Sequence, residues 1–184
     1  RGVSPIQTAI LNGEKETGAT LYLMDEGIDS GPILAQQTLN YVFAKGESPK
    51  GLLGIRNYEK LSKKLAELSA DLLIEFLRKF ESISNQQSVI SNLAIPQNES
   101  QATYTKKFST QDAFIEPQDL EKAQNDGGQI AVEINRKIRA LNPEPGTWTI
   151  ENEKRMKILE AILTADGKLK LKKIQFEGKK SVEI

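Results

Sequence analysis

The sequence predicts a mixed α/β protein in which a first half of helices and strands is joined by a linker to a second half that ends in strands. Three observations lead to this prediction. Two strand-like segments flank a glycine-containing loop near the start, a long amphipathic helix follows, and strand-like segments come after a second helix near the end. Helices and strands differ in the period at which apolar residues recur.

The first predicted elements are a short helix and a hairpin. Ser4 as N-cap, followed by proline, predicts the start of the helix, and Gly13 predicts its end. The apolar run Ala19–Asp25 predicts a buried strand, and Ile33–Val42 predicts a second one. The polar residues 26–31 between them predict a tight loop, so the hairpin has a carboxylate-rich tip.

A long helix is the strongest periodic feature of the chain. From Tyr58 onward, apolar residues recur every three or four positions, at Leu61, Leu65, Leu68, Leu72, Phe76 and Phe80. This spacing predicts an amphipathic helix of about six turns, whose apolar face we interpret as core packing. Periodicity is then lost from Ser82 to Pro117, where Ser, Asn and Gln are frequent, which predicts a surface linker.

The second half is predicted to contain one helix and three strands. Apolar spacing indicates a helix over Gly128–Leu141, and Pro143 ends it. The strands are predicted at Trp148–Ile150, Arg155–Leu163 and Lys168–Phe176, with a hairpin turn at residues 165–167. In the last strand the apolar phase slips by one residue around Lys172-Lys173, which predicts a β-bulge.

Composition excludes several classes of chemistry. The 184 residues include 25 basic and 25 acidic side chains but no Cys and no His. Disulfides, thiolate nucleophiles, Cys-ligated metals and a histidine base are therefore absent, and any chemistry must use carboxylates, hydroxyls, amines or the backbone. No stretch is long and apolar enough for a membrane span or signal core, so we expect a soluble cytoplasmic protein.

The residue pattern alone leaves the role of the hairpin tip open. Asp25, Glu26 and Asp29 lie within five residues, and Gly27 and Gly31 lie beside them. Carboxylates in such a turn can do acid–base work or bind a polar ligand, but a solvated hairpin tip has the same composition. The spacing lacks the ligand pattern of a calcium loop, so no metal is expected.

A basic segment near the end of the chain contrasts with the acidic loop. Residues 168–180 contain six lysines and a single acidic residue. Lys168, Lys170 and Lys172 alternate, so they are expected on one face of a strand, where they can contact phosphate groups. Lysines on an edge strand also protect against aggregation, and the pattern does not distinguish the two roles.

Several motifs together resemble the methionyl-tRNA formyltransferase family. Its members carry an R-G-x-x-P-I-Q helix start, a G-[DE]-x-x-T-G step and an M-D-x-G-x-D-x-G loop, matched here by RGVSPIQTAILNGEKETGATLYLMDEGIDSGPIL. The resemblance continues through KLAELSADLL, PQNESQATYTKKFST, IRALNPEPGTW and KLKLKKIQFEGKKSVE. It implies the later part of a Rossmann-like formyltransferase domain at residues 1–84, a linker at 85–107 and a small, abbreviated, OB-like β-barrel that binds tRNA at 108–184.

The resemblance also implies an activity. In the family, a formyl group passes from 10-formyltetrahydrofolate to the amino group of methionyl-initiator tRNA for translation initiation, and we expect a monomer without a metal or a membrane partner. The family uses an Asn, a His and an Asp. The Asp matches Asp29, which is therefore the catalytic candidate and would orient the His and balance its charge. The folate-binding candidates border the pterin ring largely through backbone: Leu23, Met24, Asp25, Glu26, Gly27, Ile28 and Asp29.

Other functions stay open beside this one. Folate-dependent formyltransferases that act on nucleotide sugars and formyltetrahydrofolate hydrolases share the catalytic loop, although the IRALNP run favours the tRNA enzyme. A non-catalytic RNA-binding module is a third alternative. The chain also departs from the family pattern: Glu144 replaces an aromatic, Glu116-Pro117 replaces D-W, and only a short turn separates Leu163 from Lys168.

The family places its Asn and His in an N-x-H-x-S-L-L-P segment immediately before the R-G with which this sequence starts. We therefore expect the sequence to be a fragment, and we predict that the 184-residue chain alone is inactive. Addition of 10-formyltetrahydrofolate and methionyl-tRNA should give no formylated product in an acid-precipitation assay. Measurable turnover would contradict the assignment of the Asn and His to an upstream segment.

Overall fold

The computed structural model describes residues 1–42, 53–54, 57–82 and 93–184, so residues 83–92 of the predicted linker lie outside the described residues. The described α-helices are α1 (Pro5–Asn12), α2 (Tyr58–Glu81), α3 (Pro117–Asn125) and α4 (Gly128–Leu141), and residues Glu99–Gln101 form a short 3₁₀ helix. The strands are β1 (Glu16–Tyr22), β2 (Ile33–Val42), β3 (Leu53–Gly54), β4 (Trp148–Glu151), β5 (Lys154–Leu163), β6 (Leu169–Phe176) and β7 (Val182–Glu183). They form two sheets, with orders β1-β2-β3 and β4-β5-β6-β7. No described helix is long and apolar enough to cross a membrane.

The predicted hairpin is confirmed, but its first strand lies earlier than predicted. β1 pairs antiparallel with β2 from Glu16 opposite Asn40 to Tyr22 opposite Ile33, whereas Ala19–Asp25 was expected. Residues 16–18 are not apolar, but they belong to β1 because each of them pairs with a residue of β2. Beyond Tyr22, the carboxylate of Asp25 hydrogen-bonds within the loop instead of continuing the ladder.

Helix α1 begins and ends where predicted, although by a different contact at its start. The Ser4 side chain makes no capping hydrogen bond, and its carbonyl instead accepts from the Thr8 amide (3.1 Å) and the Thr8 hydroxyl (2.9 Å). Gly13 adopts the left-handed conformation (φ 70°), which lets its N–H reach carbonyls of the last helical turn. The proline start and glycine stop are thus both confirmed.

The long predicted helix is confirmed as α2. The Asn57 side chain accepts a hydrogen bond from the Lys60 amide (3.1 Å) and caps its first turn. Leu61 and Leu65 are buried in the first half, and Leu72 is buried further along. Phe76 and Phe80 are only half-buried, so packing on the described residues is tightest near the start of the helix.

The second half is a four-stranded antiparallel sheet packed against α3 and α4. We predicted an abbreviated β-barrel here, but in the described residues no pairing between β4 and β7 closes this sheet into a barrel. The predicted bulge is confirmed as two opposite irregularities, because Leu159 of β5 and Lys172 of β6 each lack a partner in the register. Helix α3 was not predicted. Only Leu120 and Ala123 are buried in its nine residues, too few to establish a helical period.

In the part of the chain that the structure describes, two hydrophobic clusters stabilise the fold. One lies within the second half, between α3, α4, β5 and β6. The other joins the two halves, because residues of α1, β2 and α2 pack on residues around α4: Ile10, Tyr41, Leu61, Leu65, Ala113, Ala140 and Leu141. This shared core fixes the end of α4 against the domain that carries the acidic loop.

Candidate active-site loop

The acidic loop, residues 23–31, connects β1 to β2. Its base is closed by a hydrogen bond from the Leu23 N–H to the Pro32 carbonyl (3.0 Å). Gly31 is required at this closure, because a Cβ there would lie 1.7 Å from the Leu23 carbonyl oxygen. The sequence pattern correctly located the loop, and the backbone contact explains why its second glycine cannot carry a side chain.

Asp29 is the most constrained carboxylate of the loop. Its Oδ1 accepts a hydrogen bond from the Tyr22 hydroxyl (2.7 Å), and its Oδ2 accepts one from the Gly2 N–H (3.1 Å). Asp29 also has a positive φ of 54°, which non-glycine residues seldom adopt and which clusters at functional sites. The carboxylate is therefore held in one orientation by two neutral donors.

These hydrogen bonds determine the ionisation of the site. The Tyr22 hydroxyl, followed by the Gly2 N–H, lowers the pKa of Asp29 below its ordinary value, and the charge of Arg1 adds to the effect. The same contact raises the pKa of Tyr22, because the phenol donates to an anion. At neutral pH Asp29 is an anion and Tyr22 is a neutral donor.

The other acidic residues of the loop do not join Asp29. The Asp25 Oδ1 accepts from the Gly27 N–H (3.0 Å) and from the Ser30 hydroxyl (2.6 Å), so this carboxylate stabilises the turn itself. Glu26 is exposed to solvent. In the described part of the chain, no group of three or more His, Cys, Asp or Glu residues is placed to hold a metal ion.

The loop presents apolar side chains beside this anion. Met24 is 92% exposed and Ile28 is 71% exposed, and Val3, adjacent to the Gly2 donor, is 70% exposed. Exposed apolar side chains are a feature of interaction sites, where apolar surface binds the ligand and a few polar atoms orient it. The loop therefore combines exposed apolar side chains with one fixed anion.

A segment far along the chain holds the loop, and sequence reasoning missed it. We call residues 95–105 the strap. The Gln97 side-chain amide donates to the carbonyls of Asp29 (3.0 Å) and Gly31 (2.6 Å) and accepts from the Arg1 guanidinium (2.9 Å). No local period marks such a contact, although Gln97 lies in the PQNES motif that carries part of the family resemblance.

The three candidate lysines do not share one environment. Lys170 is exposed between the buried Leu169 and Leu171, as strand alternation predicts. Lys168 is half-buried before β6, with its Nζ 3.9 Å from an Asp166 carboxylate oxygen, and Lys172 is the unpaired residue of the bulge. The alternation is therefore interrupted at Lys172, and tRNA contact by these lysines stays a prediction.

Comparison with known proteins identifies the class. The family model described as formyl transferase matches residues 1–52, and the one described as formyl transferase, C-terminal domain, matches residues 128–164. The chain belongs to the formyl transferase family. The first match contains the acidic loop with Asp29, and the second contains α4, β4 and β5.

Within this family the chain resembles methionyl-tRNA formyltransferases over its whole length. It is 34% identical to the protein of that name from Kosmotoga olearia and 34% identical to the one from Carboxydothermus hydrogenoformans, and both alignments cover 100% of the chain. The chain spans 58% of the first relative and 47% of the second, about half the length of these curated proteins.

Solved structures with other names share the fold. HypX from Aquifex aeolicus in complex with tetrahydrofolic acid superposes with a TM-score of 0.62 at 19% identity, covering 100% of this chain and 31% of HypX. An N-formyltransferase from Helicobacter canadensis, solved with folinic acid and dTDP-3-aminofucose, gives a TM-score of 0.51 at 26% identity, covering 89% of this chain and 50% of that one. The predicted fold class, a Rossmann-like formyltransferase domain followed by a C-terminal domain, is confirmed.

We predict that Tyr22→Phe raises the pKa of Asp29 toward its ordinary value, because the largest cause of the depression is removed. A carboxyl with a depressed folded-state pKa stabilises the fold above its unfolded pKa of about 3.9, and this stability is lost as pH falls through the folded pKa. On acidification from about pH 4 to the folded-state pKa of Asp29 in the parent, the free energy of unfolding should therefore fall less in the variant than in the parent.

Carboxyl ¹³C shifts followed by NMR during an acid titration measure this change. Tyr58→Phe is the matched control, since Tyr58 packs against the shared core rather than the loop. An unchanged Asp29 titration in Tyr22→Phe would show that the phenol hydrogen bond does not control its ionisation.

Proposed function

We propose that this chain is part of an enzyme that transfers a formyl group from 10-formyltetrahydrofolate to the amino group of methionyl-initiator tRNA, in cytoplasmic translation initiation. The observation that carries the proposal is the Asp29 carboxylate, which is anionic and held by two neutral donors on a loop that matches the family. The names of the relatives, aligned over the whole chain, support the choice of substrate.

Acyl transfer to an amine sets clear demands on such a site. A neutral amine attacks the formyl carbon, negative charge develops on the formyl oxygen, and a proton leaves the nitrogen. In this proposal a histidine outside the 184 residues handles the proton, and Asp29 is the residue that positions it. The carboxylate oxygens offer about four lone-pair sites, and the described contacts use two, so an imidazole N–H can still be accepted.

The folate co-substrate is proposed to bind along residues 23–29. The backbone of this segment is ordered by the contacts of Asp25, Asp29 and Gly31, while Met24 and Ile28 leave apolar surface exposed beside it. An ordered backbone edge with apolar neighbours suits a planar pterin, which needs hydrogen bonds at its rim and van der Waals contact on its faces. The proposal involves no metal ion.

A second candidate substrate is an amino sugar attached to a nucleotide. The Helicobacter canadensis N-formyltransferase, whose structure contains dTDP-3-aminofucose, supports this alternative because it shares the fold at 26% identity. Folate-dependent formyl transfer is common to both proposals, and they differ only in the amine. Competition between methionyl-tRNA and a dTDP-linked amino sugar for one formyl donor distinguishes the two.

We predict that Asp29→Asn greatly reduces formylation. The assay uses a fusion protein in which the part of the Kosmotoga olearia relative that precedes its matched segment is joined to Arg1. Loss of the charge that orients the imidazole should lower kcat on the order of 10²- to 10⁴-fold, as is typical for acid–base groups and their partners. Asp71→Asn, an exposed carboxylate on α2, is the matched control and should leave kcat unchanged.

Two outcomes count against the proposal. A parent fusion protein that binds methionyl-tRNA but never formylates it would favour the non-catalytic RNA-binding alternative. An Asp29→Asn variant with the parent kcat would remove Asp29 from the mechanism even if the fusion protein is active.

We also predict that the three lysines act through phosphate contacts. Replacement of Lys168, Lys170 and Lys172 by Gln in the fusion protein should weaken tRNA binding and lower the slope of log affinity against log salt by about one per lost contact. Fluorescence titration at several salt concentrations measures the slope. Lys63→Gln on α2 is the control, because its exposed side chain lies on another element. A tRNA affinity independent of ionic strength in the parent would contradict the assignment.

A further inference from the structure

The strap is attached to the acidic loop and to the segment beside it by several independent contacts. Ile95 and Ile33 exchange both backbone hydrogen bonds (2.8 Å each), which joins the start of the strap to the start of β2. At the other end, the Thr105 N–H donates to the Arg1 carbonyl (2.8 Å), and the Thr105 hydroxyl accepts from the Ser4 N–H (3.0 Å). The strap is thus joined both to the strand that follows the loop and to the segment that contains the Gly2 donor.

Gln97 is the central contact of the strap with the loop. Its amide nitrogen has two N–H donors, and both are used, on the carbonyls of Asp29 and Gly31. Its carbonyl oxygen accepts from Arg1, a side chain that can only donate. Because Arg1 can only donate and the two backbone carbonyls can only accept, a single orientation of the Gln97 amide satisfies all three contacts.

The Arg1 guanidinium is itself held by the strap. Its side chain is only 11% exposed, and it forms a 2.6 Å ion pair with Glu99. This pairing lowers the pKa of Glu99, so the ion pair persists at neutral pH. A continuous series of contacts therefore runs from Glu99 through Arg1 and Gln97 to the loop backbone.

We infer that Gln97 is a positioning residue for the reaction, one that fixes the loop backbone so that the Asp29 carboxylate meets its partners. This inference rests on the proposed function. The positive φ of Asp29 is disfavoured for an L-residue and persists only where the surroundings enforce it. Hydrogen bonds to the carbonyls of Asp29 and Gly31 restrain the backbone on both sides of Ser30, which is where the loop returns to β2.

The first test uses the 184-residue chain and needs no activity. In Gln97→Met, peptides covering residues 23–31 should exchange backbone hydrogen at least about threefold faster, the effect of losing roughly one net hydrogen bond, while β5–β6 peptides stay unchanged. Gln101→Met is the matched control, since Gln101 is an exposed glutamine of the same strap. Mass spectrometry of the exchanged peptides measures the rates. Unchanged exchange of the loop in Gln97→Met would overturn the inference.

The second test uses the fusion protein and separates positioning from folding. A displaced loop should raise KM for 10-formyltetrahydrofolate at least about threefold and lower kcat, with KM for methionyl-tRNA unchanged, because about one net hydrogen bond is lost. A purely structural role would instead reduce the active fraction and leave both KM values at the parent level. That result would overturn the inference.

Gln97→Glu provides the decisive comparison. Its carboxylate can still accept from Arg1, but it has no N–H to donate to the loop carbonyls. We expect it to behave like Gln97→Met, and parent kinetics in Gln97→Glu would overturn the inference. If the parent fusion protein is inactive, the proposed function fails, while hydrogen exchange still decides whether Gln97 holds the loop.

Discussion

The core shared by the two halves is the constraint on which the site depends. Ile10 of α1, Tyr41 of β2 and Leu141 of α4 are almost completely buried together. Tyr41 is fully buried there, and this burial raises the pKa of its phenol to about 12. Because α1 and β2 adjoin the segments that contact Asp29, packing against the second half also determines where the donors of that carboxylate lie.

The two carboxylates near Arg1 have different partners, because Glu99 forms an ion pair and Asp29 accepts neutral hydrogen bonds. The Arg1 guanidinium donates to Gln97 of the strap, and its ion pair is with Glu99 rather than with Asp29. Among the described residues, the Asp29 carboxylate accepts hydrogen bonds from two neutral donors, the Tyr22 hydroxyl and the Gly2 N–H. Its charge is thus stabilised without being neutralised, so that it remains able to stabilise a cation such as an imidazolium.

Local patterns predicted those parts of the fold that local energetics determine. Helices α2 and α4 and the bulge near Lys172 follow from apolar spacing over neighbouring residues, and the structure confirms all three. Helix α3 was missed because its packing depends on only two buried side chains. Ser4 does not cap α1 through its side chain, and its backbone N–H makes a tertiary contact with the Thr105 hydroxyl that local sequence does not reveal.

The candidate site shows the same difference between features that local sequence predicts and features that only tertiary contacts determine. Its acidic residues were found from composition and motif, and Asp29 could be distinguished from Asp25 only by the family resemblance. The structure separates them physically, since Asp25 bonds within its own turn and Asp29 bonds to residues outside it.

The partners that fix Asp29 lie far away in sequence. Gln97 is separated from Asp29 by 68 positions and Gly2 by 27, so no periodic signal could connect them. A glycine-rich loop has high conformational entropy when free, and a precise carboxylate orientation therefore requires restraints from outside the loop. Such restraints arise only when the chain has folded, which explains why the sequence pattern revealed the chemical groups of this site but not the contacts that orient them.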